Sequence, residues 1–225
     1  MSDNSFVNAE AIKVVLIGES GVGKTSIIKQ FTIQQFDPDC ASSINGQYSC
    51  KILNIPNTRK SLKFDIWDTA GQEKYRSLAK IFYKDAKIII FVYECTSKSS
   101  FDNLKNYWYD QIDSCCSPDT IFAVVSNKND LYKYSQVKDE DAIKWADEIG
   151  AIFQSTSAKS NFGIEKLFEL VGKKCLNPNF DYKKEDENDK MLYEMKKKKR
   201  KTKIIMMMNL ILIISLILKR IKILK

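Results

Sequence analysis

The run Gly18-Glu19-Ser20-Gly21-Val22-Gly23-Lys24-Thr25 holds residue types suited to gripping a polyanion. Glycines at this spacing let successive backbone N–H groups converge on one point without side chains in the way. The helix predicted to follow would add the positive end of its dipole. Lys24 supplies a compact cation and Thr25 a hydroxyl able to ligate Mg²⁺. The run fits the phosphate-cradle pattern G-x-x-x-x-G-K-[ST], and it stands between a predicted strand and a predicted helix, as the pattern requires. Glu19, Ser20, Gly21, Val22, Gly23, Lys24, Thr25 and the adjoining Ser26 are its candidate phosphate-binding residues. The chain has no histidine, which removes Ser-His-Asp and Cys-His catalysis and every His-ligated zinc site from consideration.

Three further segments place polar residues just past predicted strands. Asp68-Thr69-Ala70-Gly71-Gln72-Glu73 follows residues 63–67, Asn127-Lys128-Asn129-Asp130 follows 121–126, and Ser157-Ala158-Lys159 follows 152–154. A carboxylate accepts two hydrogen bonds side by side, so Asp130 can take the N1–H and the 2-amino group of guanine. Adenine offers neither donor there and would leave the charge unpaired. Read singly, the segment 127–130 could be a solvated turn and Asp68 a helix N-cap.

These segments need a scaffold that gathers strand ends. Residues 1–11 read as a flexible N-terminus, 13–17 as a buried strand and 24–34 as a helix, with a loop over 37–46. Residues 48–55 and 61–67 read as strands of a hairpin closed by Pro56-Asn57-Thr58. Further strands are predicted over 87–93, 121–126 and 152–154. Phe101, Leu104, Trp108 and Ile112 share one helical face; so do Ala142, Trp145, Ala146 and Ile149, and then Ile164, Leu167, Phe168 and Val171. Strands alternating with helices argue an α/β fold, mostly parallel, with one antiparallel edge from the hairpin. In such sheets ligands bind beyond the carboxyl ends of the strands. No internal repeat is visible.

Taken together, these motifs resemble the small GTPases of the Ras superfamily, most closely the Rab branch. Trp67-Asp68-Thr69-Ala70-Gly71-Gln72-Glu73, Arg76-Ser77-Leu78, and Ser99, Phe101 and Asn103 through Trp108 carry the likeness, which covers roughly residues 10–175. It implies a P-loop NTPase fold, a three-layer α/β/α arrangement around a six-stranded mixed, mostly parallel sheet. It implies GTP and GDP as bound nucleotide, Mg²⁺ as cofactor, and slow GTP hydrolysis used as a switch in vesicle trafficking. Asn127 would contact guanine N7 and brace its neighbours, Lys128 would lay its stem over the base, and the Ala158 N–H would reach O6. Ser157, Lys159 and the aromatic Phe36 complete the implied base pocket. Asp68 would act on Mg²⁺ through a water, with Thr25 and Ser43 as ligands. The Gly71 N–H would meet the γ-phosphate, and Gln72 would orient the attacking water as the catalytic residue.

The chain departs from the family pattern at three places. Ser43 replaces a threonine, Asn45 replaces a glycine in Ser43-Ile44-Asn45, and Asp85 stands where relatives carry glycine. A serine hydroxyl can still ligate Mg²⁺. Tyr48, Trp67 and Phe82 match an effector-facing aromatic trio; the alternative for each is ordinary core. The implied partners are effectors, an exchange factor and a GTPase-activating protein, with the chain itself a monomer. A rival reading is a GTP-loaded scaffold that binds effectors but hydrolyses poorly, motivated by the altered Ser43–Asn45 segment. A nucleotide kinase shares the phosphate cradle but has no use for Asn127-Lys128-Asn129-Asp130.

Charge is divided along the chain. The net charge is +8, yet residues 196–225 hold eleven Lys/Arg and no carboxylate, so residues 1–195 sum to −3. A uniformly basic nucleic-acid binder would look different, and no nucleic-acid partner is expected. The GTPase domain is expected over 12–175, a polar, basic linker over 176–203 and an apolar segment over 204–225. The chain shows six cysteines without a C-x-x-C pair, a polar start and no prenylation motif at its Ile-Leu-Lys end. A cytoplasmic protein is expected, peripheral or tail-anchored on the cytosolic face of an endomembrane. The apolar run 204–218 has 15 residues, about 22 Å as a helix against a bilayer core of about 30 Å. A short anchor, an interfacial segment held by anionic lipid, and a tail altered by a gene-model error all remain open.

Overall fold

A computed structural model describes residues 9–38, 47–69, 83–113, 116–185 and 187. Its centre is a six-stranded sheet of order β2-β3-β1-β4-β5-β6. The strands are β1 (Glu10–Ile17), β2 (Gln47–Asn54), β3 (Ser61–Asp68), β4 (Ile88–Glu94), β5 (Ile121–Asn127) and β6 (Ile152–Ser155). Only β2 runs antiparallel, against β3; every other neighbouring pair is parallel. The expected mixed sheet with one antiparallel edge is therefore present. The hairpin turns where Asn57 takes a left-handed φ of 62° and Ile55 N–H donates to the Lys60 carbonyl at 3.0 Å.

Burial explains why the central strands are nearly continuous apolar runs. Ile88 to Tyr93 of β4 are all fully buried, as a parallel strand covered on both faces must be. One face packs Val15, Ile17, Ile89, Phe91, Tyr93 and Val124 against two helices. The first, α2, spans 98–113, with α-helical ends (Lys98–Asn103, Tyr109–Asp113) around a π-helical middle (Leu104–Trp108). The second is α3 (Asp139–Glu148). On the opposite side, Phe31 of α1 (Lys24–Ile33) stacks on Phe168 of α4 (Ile164–Leu176) with ring centroids 3.6 Å apart. Phe64 of β3 meets both rings edge-on. Each such ring buried contributes about 1.5–3 kcal/mol. The predicted helical faces hold: Phe101, Leu104, Trp108 and Ile112 are all buried.

The start of the first strand moves. Strand β1 starts at Glu10, because Glu10 and Ala11 pair with Leu62 and Lys63 of β3; hydropathy alone began it at Lys13. At the other end, contacts divide the chain into the units Met1–Phe180 and Asp181–Lys225. In the first unit, Asn177 N–H donates to the Lys173 carbonyl at 2.9 Å, and Lys174 Nζ donates to the Phe180 carbonyl at 3.2 Å. In the second unit, residues 182–185 form a helical turn, with Lys184 and Asp181 3.8 Å apart. Among the described residues no helix is long and apolar enough to cross a membrane; the run 204–218 lies outside them.

Asp85 has φ 60°, in a turn closed by Ala86 N–H on the Tyr83 carbonyl at 3.1 Å. The left-handed backbone that a glycine would favour is thus kept with an aspartate, one of the few residues that tolerate it.

Candidate functional site

The carboxyl ends of β1, β3, β4, β5 and β6 gather the sequence motifs. Strand β1 ends at Ile17, and the chain leaves it through Gly18 at φ 151°. A Cβ there would sit 2.1 Å from the Val92 carbonyl oxygen, so the turn is open only to glycine. Gly21 and Gly23 also take positive φ, 81° and 95°, and a Cβ on Gly23 would meet Asn127 Nδ2 at 2.3 Å. Helix α1 then opens at Lys24, with Ile27 N–H bonded to the Gly23 carbonyl at 2.9 Å. The Lys24 ammonium folds back across the loop and donates to the Gly18 and Glu19 carbonyls, each at 2.8 Å. Only 5% of Lys24 is exposed. Burial pulls its amine down to about 8, against the opposing fields of Asp68 and Glu19. Ser20 and Gly21 are exposed, Val22 is buried, and Glu19, Thr25 and Ser26 are half-buried.

Beside this loop, Thr25 Oγ1 donates to Asp68 Oδ2 at 2.5 Å. Asp68 ends β3 and is 2% exposed. Thr69 Oγ1 fixes the strand's exit by donating to the Leu16 carbonyl at 2.7 Å. A hydroxyl and a carboxylate at the edge of a phosphate-shaped loop are hard oxygen donors, the kind Mg²⁺ takes. Among the described residues no cluster of three or more Cys, Asp or Glu could hold a metal ion. This donor set fits Mg²⁺ that shares its shell with phosphate and water. The expected Ser43, Gly71, Gln72 and Phe82 lie outside the described residues.

The base segments are held by side chains. Asn127, 1% exposed, ends β5 and donates from Nδ2 to the Val22 carbonyl at 2.8 Å. Its Oδ1 accepts from Thr156 Oγ1 at 3.1 Å, and Asn129 N–H reaches the Thr156 carbonyl at 3.0 Å. One buried amide thus joins the phosphate loop, the β5 exit and the β6 exit. Asp130 is exposed, and its Oδ1 accepts from Ser157 Oγ at 2.6 Å. Ala158 is buried, whereas Lys159 and Phe36 are exposed, in the loops after β6 and α1. Lys128 has a left-handed φ of 62° and sets its ammonium 2.6 Å from Glu94 Oε2. Burial raises the Glu94 carboxyl, but hydrogen bonds from Lys128 and Thr96 outweigh it and hold the group below its usual range.

Sequence reading missed Glu94, Thr156 and the Trp108–Glu19 bond, in which Trp108 Nε1 donates to Glu19 Oε1 at 3.1 Å. Glu94 carried a readable signal: it is the charged residue closing an apolar parallel strand, where ligand contacts concentrate. On the outer hairpin, Tyr48 pairs in register with Trp67, their ring centroids 5.5 Å apart. Tyr48 is 47% exposed, which rules out ordinary core for that residue. Trp67 packs partly against the core.

A mostly parallel sheet with a glycine-turned loop between β1 and α1, a buried lysine across that loop, and hard oxygen donors beside it defines a P-loop nucleotide-binding protein of the α/β class. The family model described as Ras family matches residues 13–177. Ras-related protein Rab-22A of Homo sapiens is 38% identical over 163 residues, covering 72% of this chain and 82% of that protein. Ras-related protein Rab-18 of Caenorhabditis elegans is 37% identical over 177 residues, 78% and 85% of the two chains. Ras-related protein RabJ of Dictyostelium discoideum is 36% identical over 183 residues, 81% and 70%. The chain belongs to the Ras family of small GTPases, in its Rab branch.

Proposed function

We propose that the chain binds GTP and GDP with Mg²⁺, hydrolyses GTP slowly, and uses the two bound states as a switch in vesicle trafficking at cytosolic membrane faces. The observation that carries this reading is the Asn127–Val22 bond of 2.8 Å, which fastens the guanine-selecting segment to the phosphate loop. In this reading residues 19–26 and Gly71 hold phosphate, and Lys24 neutralises it. A phosphate would favour the charged ammonium that burial disfavours in the free chain. Thr25, Ser43 and Asp68 hold the metal, which when bound offsets phosphate charge. Phe36, Asn127, Lys128, Asp130, Ser157, Ala158 and Lys159 form the base pocket, and Gln72 orients water. Turnover without a partner is expected on the order of 10⁻⁴ to 10⁻² s⁻¹. Tyr48, Trp67 and Phe82 form the effector face, on which exposed aromatics act as anchors.

Competition binding of GTP, XTP and ATP tests the pocket. GTP should win in the unaltered chain, and Asp130→Asn should move the preference toward XTP. ATP competing as well as GTP would refute the base assignment. Single-turnover hydrolysis then separates a cycling switch from the scaffold suggested by Ser43-Ile44-Asn45: Gln72→Leu should slow a measurable rate while leaving GTP affinity nearly intact.

Residues 196–225 supply membrane attachment in this reading, from seven Lys/Arg in 196–203 and the 15-residue apolar run behind them. Basic residues near an anionic surface give about 1 kcal/mol each and are screened by salt, whereas apolar burial is not. Retention of the full chain on membranes after a high-salt wash identifies an inserted anchor, and release identifies an electrostatic one. A full chain that stays soluble at low salt defeats both.

A further inference from the structure

Lys128 is gripped at both ends by the end of β4. Glu94, the last residue of that strand, pairs in register with Asn127. Its backbone is set by Ser100 of α2, whose hydroxyl accepts from Glu94 N–H at 3.1 Å. Its carboxylate then takes the Lys128 ammonium on Oε2 at 2.6 Å and the Thr96 hydroxyl on Oε1. The next residue, Cys95, donates from Sγ to the Lys128 carbonyl at 3.2 Å and from its backbone N–H to the Asn127 carbonyl at 3.0 Å. Between these holds Lys128 keeps a left-handed backbone that a long side chain seldom adopts. A lysine stem left free samples many rotamers, and fixing it when a ligand arrives opposes binding. An acidic partner that fixes the ammonium beforehand removes part of that opposition.

We propose that Glu94 is a positioning residue of the guanine pocket: its carboxylate holds the Lys128 ammonium beside β4 and so keeps the lysine stem ready to cover the base, lengthening nucleotide residence. This rests on the base-pocket reading given above. The pair is about one-third and one-quarter exposed, so its effect is modest and screened by salt. In this proposal Glu94 acts on the base through Lys128, the ammonium its carboxylate holds.

The test is release of GDP carrying a fluorescent ribose label from the full-length chain, chased with unlabelled GDP. Glu94→Gln keeps the side-chain shape and an acceptor for Thr96 but loses the charge, and it should speed release about three- to fivefold. In a Lys128→Met background, which retains an apolar stem without the ammonium, the same substitution should change release less than about twofold. Equal acceleration in both backgrounds would show that Glu94 merely shapes the loop, and no acceleration in the unaltered background would show that it does nothing; either overturns the proposal. Asp130→Asn, assayed in parallel with guanosine and xanthosine diphosphates, separates the two levels. If base preference shifts while Glu94→Gln has no effect, only the role of Glu94 fails. If base preference does not shift, the pocket reading fails and the proposal falls with it.

Discussion

The phosphate loop and the base segments occupy neighbouring strand ends and hold their shapes by opposite means. The loop depends on missing side chains: a Cβ at Gly18 would strike the Val92 carbonyl, and one at Gly23 would strike the Asn127 amide. The base segments depend on side chains that are present, namely Asn127 on Val22 and Thr156, Ser157 on Asp130, and Glu94 on Lys128. A shape fixed by exclusion fails sharply when an atom is added. A shape fixed by several hydrogen bonds loses them one at a time, each contributing about 1 kcal/mol. The difference predicts how steeply each region responds to substitution.

The steepest response should come from Gly18→Ala. The obstructing atom belongs to the backbone of β4 and cannot swing aside. A loss of stability on the order of 4 kcal/mol is expected, read as a lowered denaturation midpoint with nucleotide binding abolished. Gly21→Ala is the control within the same loop. It has no neighbour within 4 Å of the added carbon, so only the cost of its left-handed φ remains, about 1–2 kcal/mol. Equal losses at the two glycines would mean that strain, not collision, sets the loop, and the contrast drawn above would collapse.

Lys24 lies where the two modes meet, a charged side chain threaded through the excluded space. Its amine is lowered from 10.5 to about 8 by burial, so above about pH 8 the unfolded chain binds more protons than the folded one. The Lys24 contribution to the stability of the nucleotide-free chain should therefore rise with pH through this window. Burial of the Cys95 and Cys175 thiols and of the Tyr83 and Tyr93 phenols raises those groups and acts in the opposite sense as pH climbs. The Lys24 contribution is complete above about 10.5 and lost as pH falls through about 8. A shift of this size corresponds to about 3 kcal/mol. Lys24→Met should remove this one component, so that the stability difference between the unaltered chain and the variant changes with pH between about 8 and 10.5. It should also abolish nucleotide binding, while leaving the free chain at least as stable at pH 7. Denaturant unfolding at pH 7, 8.5 and 10 checks it; a Lys24→Met chain with the unaltered slope would assign the titration to another group.

Legibility in the sequence follows the same division. The glycines announced a loop that side chains would block, and their spacing to Lys24 and Thr25 carried the chemistry with it. Asp130 and Ser157 were both readable as strand-end residues, and the structure joins them directly. The pairings of Glu94 with Lys128 and of Glu19 with Trp108 were not readable, although Glu94 itself stood out at its strand end. These partners stand 34 and 89 residues apart in the chain and meet only because β1, β4 and β5 are neighbours in the sheet. The start of β1 was placed late because Glu10 and Ala11 join the strand through backbone pairing with β3, which hydropathy does not register. Asp85 was visible as a departure from glycine, but that its backbone stays left-handed could be learned only from the fold.

The smallest expected effect tests the side-chain mode at its simplest joint. Ser157 is 1% exposed; its hydroxyl donates to Asp130 Oδ1 at 2.6 Å and accepts from Ser160 N–H at 3.2 Å. Ser157→Ala removes both bonds without adding volume, so nothing collides and the fold should survive. Asp130 is itself exposed, and its freed oxygen can turn to water, which limits the loss of stability. What it cannot keep is a fixed direction for the carboxylate that the proposed pocket would turn to guanine. GDP release should quicken about fivefold, equivalent to about 1 kcal/mol, with little change in denaturation midpoint. A Ser157→Ala chain that fails as completely as Gly18→Ala would show that the base segments also tolerate no local change. The base segments would then share the all-or-none character of the loop, and the distinction between exclusion and bonding would not describe this site.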